Sequence, residues 1–260
     1  MIPNYDPQNV EMIDSVVCFV DILGFQSLVN QSVISGSGND FLRRIHNSLK
    51  SAREELVPYS NELASVKVFT DNIVVGWPIW DDSESELGRA FMGFARYQLE
   101  LALSGFFVRG GISIGEHYMD EETVFGPALI ESYNLESKVA VYPRVILSEL
   151  AKRRVQEHMR YYGIPAHSPQ YLHILKDSDG QWFVNYLSVL LQSGENQLHS
   201  RLAQHKQVVE EKLEEYKDDS KLLDKYVWVA NYHNYFCENY VDNSEGYIIT
   251  LPHKCPSTIL

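Results

Sequence analysis

A run of apolar residues near the N-terminus predicts the first buried strand. The residues VVCFV, positions 16–20, lead to the carboxylate Asp21, and ILGF, positions 22–25, then turns the chain into an amphipathic helix. An acidic residue at a strand end, beside the free N–H groups of a helix N-terminus, is a typical place for a metal ion and a phosphate. This stretch alone is equally consistent with Asp21 acting only as a helix cap.

Two further runs predict a β-hairpin. After a helical pattern from Phe41 to about Leu56, the alternating and β-branched segments Ser65 to Phe69 and Ile73 to Trp77 flank Thr70-Asp71-Asn72. Asp71 is therefore expected at the tip of the hairpin. Asp-Asn pairs also occur in turns for conformational reasons alone, so Asp71, like Asp21, has a purely local explanation.

The next pattern predicts a helix and a long strand. Apolar residues at helical spacing run from Glu84 to about Leu103, and the strand Phe106 to Gly115 follows. The paired glycines of this strand, Gly110 and Gly111, indicate that another backbone or a ligand comes close.

The order of these elements predicts an α+β fold with a ferredoxin-like βαββαβ core and a sheet rich in antiparallel pairs. In such a sheet the end of the first strand lies beside the hairpin tip. Asp21 and Asp71 would then converge, although fifty positions separate them in the sequence. Two carboxylates at one point provide the oxygen ligands that Mg²⁺ or Mn²⁺ prefers.

The rest of the chain predicts a C-terminal extension rather than a second catalytic domain. We place a catalytic core at residues 1–160 and an extension packed on it at residues 161–260. The extension contains a hairpin around Asp179-Gly180 and two helices, Asn196 to Lys217 and Lys221 to Tyr240. The second helix carries an aromatic stripe, which predicts packing or a dimer contact.

Composition narrows the function. The net charge of -13 argues against a nucleic-acid duplex or an anionic membrane as the main partner, because both need a basic surface. No apolar run is long enough for a membrane span and no leader pattern is present, so a cytoplasmic protein is expected. The scattered cysteines Cys18, Cys237 and Cys255 imply neither a disulfide framework nor zinc spacing, and no serine-hydrolase or phosphate-loop motif occurs.

Several segments together resemble a known family. VCFVDILGF and KVFTDNIVV are similar to the two metal-binding segments of class III nucleotidyl cyclase catalytic domains, and FFVRGGISIG and VFGPALIESYNLE are similar to later signature segments. The resemblance covers Val16 to Ser148. FTDN, RGGI, GPALIESYNLE and YPR are most similar to the pyrimidine (uridylate or cytidylate) cyclases of the Pycsar antiphage defence system.

The resemblance implies a site for a nucleoside triphosphate and two divalent cations, Mn²⁺ or Mg²⁺. It implies the following roles: Asp21, Asp71 and the Ile22 carbonyl as metal ligands, Arg109 with the turn at Gly24 and Phe25 as triphosphate contacts, and Lys67 with Thr123 as base contacts. The two acids would also be catalytic, because two-metal displacements use the bound cations directly.

The sequence also departs from the family. Purine cyclases have an Asn and an Arg that stabilise the transition state where this chain has Ile130 and Asn134. Arg144, at the start of the next strand, is the candidate catalytic replacement.

The activity implied is conversion of UTP to 3′,5′-cyclic UMP and pyrophosphate, with CTP as the alternative substrate. Lys67 supplies only hydrogen-bond donors, which suits O4 of uracil better than the amino group of cytosine. The resemblance further implies a homodimer with sites across the interface and a separate effector that responds to the product. A degenerate cyclase that only binds a nucleotide is a further alternative. A dinucleotide cyclase is disfavoured, because RGGISIG lacks the paired acids of the GG[DE]EF turn.

Overall fold

The computed structural model describes residues 3–60 and 64–251, with the side chain of Ser60 excepted. Within these ranges the strands are β1 (Ile13–Ile22), β2 (Ser65–Phe69), β3 (Asn72–Pro78), β4 (Val108–Met119), β5 (Val124–Phe125), β6 (Val145–Leu147), β7 (Ile174–Lys176) and β8 (Trp182–Val184). The α-helices are α1 (Phe25–Ile34), α2 (Gly38–Ser60), α3 (Glu84–Leu103), α4 (Pro127–Asn134), α5 (Glu149–Tyr161), α6 (Glu195–Glu215) and α7 (Ser220–Tyr240).

The strands form one sheet in the order β2-β3-β1-β4-β6-β8-β7, with β5 paired to β4. All neighbouring pairs are antiparallel except β4 and β6. The first four strands, with α1 and α2 before β2 and α3 before β4, have the predicted βαββαβ order. The α+β fold with a ferredoxin-like core is thus confirmed.

The two faces of the sheet have different surroundings, because successive side chains of a strand point to opposite sides. On one face, Val16, Cys18 and Val20 of β1 join the main hydrophobic core, to which α3 also contributes. On the other face, which we call the open face, Val17 and Phe19 pack with α4. Asp21 has the same parity as Val17 and Phe19 and therefore lies on the open face.

The C-terminal extension continues the sheet instead of only covering it. Phe183 of β8 pairs with Ile146 of β6, and Trp228 and Tyr232 of α7 pack on Phe183 with ring centroids 5.3 and 5.7 Å away. All four residues belong to the main core. The predicted hairpin and aromatic packing are present, while the domain boundary at residue 160 stays a prediction. Residues 252–260, with Cys255, lie outside the described part of the chain.

The structure also has elements without a counterpart in the sequence prediction. The short helix α4 runs directly into a π-helical turn, Leu135–Val139, and β5 forms a small hairpin with the end of β4. Cys18 and Cys237 are free and buried. In the described residues, no helix has both the length and the apolarity that a membrane span needs.

Candidate active site

Strand register brings Asp21 to the centre of the candidate site. Asp21 pairs directly with Arg109 of β4, and on its other side β1 pairs with β3 up to Val20 and Ile73. Directly paired residues of antiparallel strands point to the same face. Asp21 and Arg109 are therefore neighbours on the open face, next to the β2–β3 turn.

Asp71 lies in that turn, as predicted. Phe69 pairs with Asn72, so the turn consists of Thr70 and Asp71, and β3 begins one residue earlier than the sequence indicated. The Thr70 hydroxyl donates a hydrogen bond of 2.6 Å to Asp71 Oδ1, and Thr70 has a φ of 50°. A β-branched residue with positive φ is conformationally strained, and such strain tends to occur at functional sites.

The two carboxylates converge. Burial, followed by the hydrogen bond and the charge of Asp71, raises the pKa of Asp21 to about 8. Asp21 Oδ1 is buried without a hydrogen-bond partner. A divalent cation between the carboxylates would remove their repulsion and satisfy this oxygen, so the donor set suits Mg²⁺ or Mn²⁺. No group of three or more His, Cys, Asp or Glu side chains suited to a metal occurs in the ranges described, so carbonyl and phosphate oxygens would complete the coordination.

The turn after β1 leaves the start of α1 available for a phosphate. Gly24 is the N-cap residue with a φ of 71°, and no side chain caps the helix that begins at Phe25. The capping alternative for Asp21 is therefore wrong, because the cap lies three residues further on. Ile22 is the last residue of β1, directly beside Asp21, while the Leu23 N–H donates to the Phe107 carbonyl at 2.8 Å.

Arg109 has a partner that the sequence analysis missed. Its Nε lies 2.6 Å from Oε1 of Glu136, whose side chain is only 3% exposed. Burial raises the pKa of Glu136, and the charge of Arg109 opposes this shift. Glu136 lies in the π-helical turn, a feature that is frequent at functional sites. The only sequence signal is its place in the GPALIESYNLE segment, because a π turn has no periodic pattern.

The absence of a side chain at Gly111 allows the π-helical turn to pack directly on the sheet. A Cβ atom on Gly111 would lie 2.5 Å from both the Ser132 carbonyl oxygen and Leu135 Cβ. The predicted close approach of another backbone at the paired glycines is thus confirmed for Gly111. A side chain there would push α4 and Glu136 away from Arg109.

The two predicted base contacts lie near each other. Lys67 pairs with Val74, which pairs with Phe19, so Lys67 is on the open face two residues along the strands from the Asp21 row. Its Nζ donates to the carbonyl of Glu121, in the loop that also contains Thr123. Asp120 Oδ1 accepts from the Thr123 N–H at 2.7 Å and fixes this loop.

Arg144 lies beside Arg109 in the sheet, but its side chain contacts other residues. It is completely buried, and its two terminal nitrogens form ion pairs with Asp177 and Asp179. The guanidinium carbon is 5.5 Å from the centroid of the Trp228 ring, and Trp228 Nε1 donates to Asp177 at 2.7 Å. Both terminal nitrogens are taken, so Arg144 would have to give up an ion pair to contact a phosphate, and its catalytic role stays a prediction.

The helix that would carry the missing transition-state residues lies on the open face. Ile130 of α4 is 61% exposed, while Tyr133 packs edge-on against Phe19 at 5.5 Å. Asn134, at the end of α4, is half-buried. Neither Ile130 nor Asn134 supplies a positive charge to the site.

No model of a known protein family matches the sequence, and no curated protein sequence matches it. Among solved structures, the adenylyl cyclase CyaB from P. aeruginosa is similar with 15% identity and a TM-score of 0.47, over 67% of this chain and 94% of that chain. A class III adenylyl cyclase-like ATP-binding protein from Pseudomonas aeruginosa is similar with 14% identity and a TM-score of 0.44, over 61% of this chain and 39% of that chain. An adenylate/guanylate cyclase/hydrolase from Silicibacter pomeroyi is similar with 16% identity and a TM-score of 0.43, over 57% and 82% of the respective chains.

Proposed function

We propose that this protein is a nucleotidyl cyclase that forms a 3′,5′-cyclic nucleotide from a nucleoside triphosphate. The observation that supports this most directly is the convergence of Asp21 and Asp71 beside Arg109 on one face of the sheet. Two neighbouring acids, of which Asp21 has a raised pKa, and an adjacent arginine suit a divalent cation that carries a polyphosphate.

Asp21, Asp71 and the Ile22 carbonyl would hold Mn²⁺ or Mg²⁺. The bound cations would increase the acidity of the ribose 3′-hydroxyl and neutralise charge on the leaving pyrophosphate. In the reaction, the 3′-oxygen bonds to the α-phosphorus, the bond from the α-phosphorus to the pyrophosphate oxygen breaks, and the hydroxyl proton is released. Arg109 and the N–H groups at Gly24 and Phe25 would orient the phosphates.

The proposed substrate is UTP. Lys67 lies on the same side of the sheet as the two acids, two residues further along the strands, and contacts the loop that contains Thr123. A base would extend from the ribose toward this loop. Lys67 would donate to O4 of uracil. One observation favours CTP as the second candidate: the Glu121 carbonyl that Lys67 contacts is an acceptor, which suits the amino group of cytosine.

We further propose that the active form is a homodimer. Apolar side chains are exposed on and beside the open face: Phe69, Phe125, Ile130, Tyr133 and Val141. Several large apolar side chains exposed in one region are typical of protein–protein contacts. A second subunit there would also bring groups that Ile130 and Asn134 do not provide. The product would act as a messenger on a separate effector, as the resemblance to antiphage cyclases implies.

A nucleotide-binding regulator without turnover is the second candidate function. It is favoured by Ile130 and Asn134, which leave the transition state without the usual positive charge. Intact Asp21 and Asp71 favour catalysis over this alternative.

The decisive experiment uses the two acids. The protein is incubated with ATP, GTP, CTP and UTP in the presence of Mn²⁺, and cyclic products are separated by chromatography. Asp21→Asn and Asp71→Asn should each lower turnover by at least about 100-fold, because each removes a charged cation ligand. The thermal midpoint without metal should not fall, since the carboxylate repulsion is relieved.

Asp14→Asn is the matched control, because Asp14 lies on the same strand but is exposed and faces Glu116. It should retain full activity. Full activity in either acid variant would contradict the proposed mechanism. Cyclic CMP alone would change the base assignment, whereas cyclic AMP or GMP alone would contradict a pyrimidine cyclase.

A further inference from the structure

The C-terminal helix α7 reaches the candidate triphosphate site. Val145 of β6 pairs with Gly110 of β4, so Arg144 lies beside Arg109 on the same face of the sheet. Trp228 of α7 covers Arg144. The first half of α7 therefore runs along the open face next to Arg109.

A second contact fixes this end of α7. The ring of Tyr226 packs edge-on against Phe107, with centroids 5.4 Å apart, and Phe107 directly precedes β4, two residues before Arg109. Tyr226 also stacks on Tyr216 of the preceding connection, at 5.2 Å. Lys225 is adjacent to Tyr226 and one helical turn before Trp228, so this packing determines its position.

Lys225 is a half-buried cation without a bonded counter-ion. Among residues 3–60 and 64–251, no carboxylate forms an ion pair with Lys225. Burial and then the charge of Arg109 lower the pKa of Lys225, while Asp219 opposes this shift. Two neighbouring cations repel each other and lose hydration, so their arrangement is unfavourable until an anion binds between them.

We propose that Lys225 binds the terminal phosphates of the nucleoside triphosphate together with Arg109. The inference rests on the proposed function, because it assigns a residue to the same site. Glu136 already balances part of the charge of Arg109, whereas Lys225 forms no ion pair with a carboxylate of the described residues, so an anionic ligand would balance its charge. The C-terminal extension would thereby take part directly in substrate binding.

The test compares two lysines of the same helix. Lys225→Met and Lys225→Gln remove the charge, Lys225→Arg keeps it, and Lys221→Met is the control, because Lys221 is exposed one turn earlier on α7. Binding of α,β-methylene UTP, α,β-methylene CTP, UMP and CMP is measured by calorimetry with Mn²⁺. These methylene analogues cannot release pyrophosphate, so binding is separated from turnover.

Lys225→Met and Lys225→Gln should weaken binding of the triphosphate analogue by about 10- to 100-fold, since a charge-assisted contact is lost. Binding of the monophosphates should not change. Lys225→Arg should restore most of the affinity, and Lys221→Met should behave as wild type. Added salt should weaken the wild type more than the Lys225 variants.

Two results would overturn the inference. One is equal triphosphate affinity in wild type and Lys225→Met; the other is a wild type that does not bind either triphosphate analogue. Failure of the proposed function has a different result, namely a wild type that binds the analogues but forms no cyclic product from any of the four nucleotides.

Discussion

Glu136 is a buried carboxylate whose charge is balanced chiefly by Arg109. Breaking a buried pair by removing one partner leaves an uncompensated charge, which costs about 3–5 kcal/mol in fully buried cases. Arg109 is 26% exposed, so water reduces this cost. Arg109 would thus have two separate roles, one in stability through Glu136 and one in phosphate binding.

A double-mutant cycle separates these roles. Arg109→Met should destabilise the protein by about 2 kcal/mol in urea unfolding, because Glu136 loses its counter-ion. Adding Glu136→Gln should recover most of this loss, since no buried charge remains. Turnover should stay low in both variants, because the phosphate contact is absent from each.

The exposed pair Arg43 and Asp40 provides the control. Their side chains are 72% and 80% exposed, so Arg43→Met should change stability by no more than about 0.5 kcal/mol. Normal turnover in the double variant would contradict a phosphate role for Arg109. Equal stability of all variants would contradict the buried pair.

At the level of elements, Arg144 joins three parts of the C-terminal half. Its ion pairs connect the start of β6 to Asp177 and Asp179, in the connection between β7 and β8, and its aromatic contact connects both to Trp228 of α7. Asp177 is 1% exposed. The arginine therefore acts as a structural link between the sheet and the helix.

Removing this link should destabilise the protein more than it affects the chemistry. Arg144→Met should lower the free energy of unfolding by about 3–5 kcal/mol, because Asp177 is left buried without a counter-ion. Asp177→Asn added to Arg144→Met should recover part of the loss. Urea unfolding followed by tryptophan fluorescence measures this, and specific activity per folded molecule is measured alongside.

The alternative role of Arg144 has a different signature. A variant as stable as the wild type but inactive would support the catalytic interpretation that the sequence suggested. Arg144→Lys is a useful companion variant. It keeps the positive charge, but a single ammonium group cannot replace the two guanidinium nitrogens that bind Asp177 and Asp179.

The elements that could be predicted are those with a clear period. The sequence pattern predicts α3 with its bounds. It also predicts the hairpin that contains Asp71, although β3 begins one residue earlier than the pattern indicates. From the βαββαβ order, the sequence also placed Asp21 near Asp71. These predictions succeed because the spacing of apolar residues within one segment is enough to predict whether it forms a strand or a helix.

Other parts depend on tertiary contacts that the sequence does not encode locally. The π-helical turn with Glu136 is held against Gly111, and Arg144 is held by acids more than thirty positions further along. Lys225 lies in a helix whose own pattern predicts packing or a dimer contact. The surroundings of Glu136, Arg144 and Lys225 depend on which face of the sheet the neighbouring helices cover. The periodicity of the sequence does not specify that face.

For the whole molecule, the open face determines the expected assembly. Ile130 is 61% exposed on α4, next to the candidate site, and Tyr133 is 50% exposed while its ring contacts Phe19. An isologous contact at this face would place two sites near one symmetry axis. Each site would then receive groups from both subunits.

If the site needs both subunits, specific activity should fall on dilution below the dimer dissociation constant, because the monomer has an incomplete site. Ile130→Glu should shift this fall to higher protein concentration by at least about 10-fold, since a charge replaces an apolar contact without disturbing the core. Turnover over a dilution series, with analytical ultracentrifugation at the same concentrations, measures both quantities. Ile34→Glu is the control, because Ile34 is 86% exposed at the far end of α1. A strictly monomeric protein with constant specific activity would show that one chain contains the complete site.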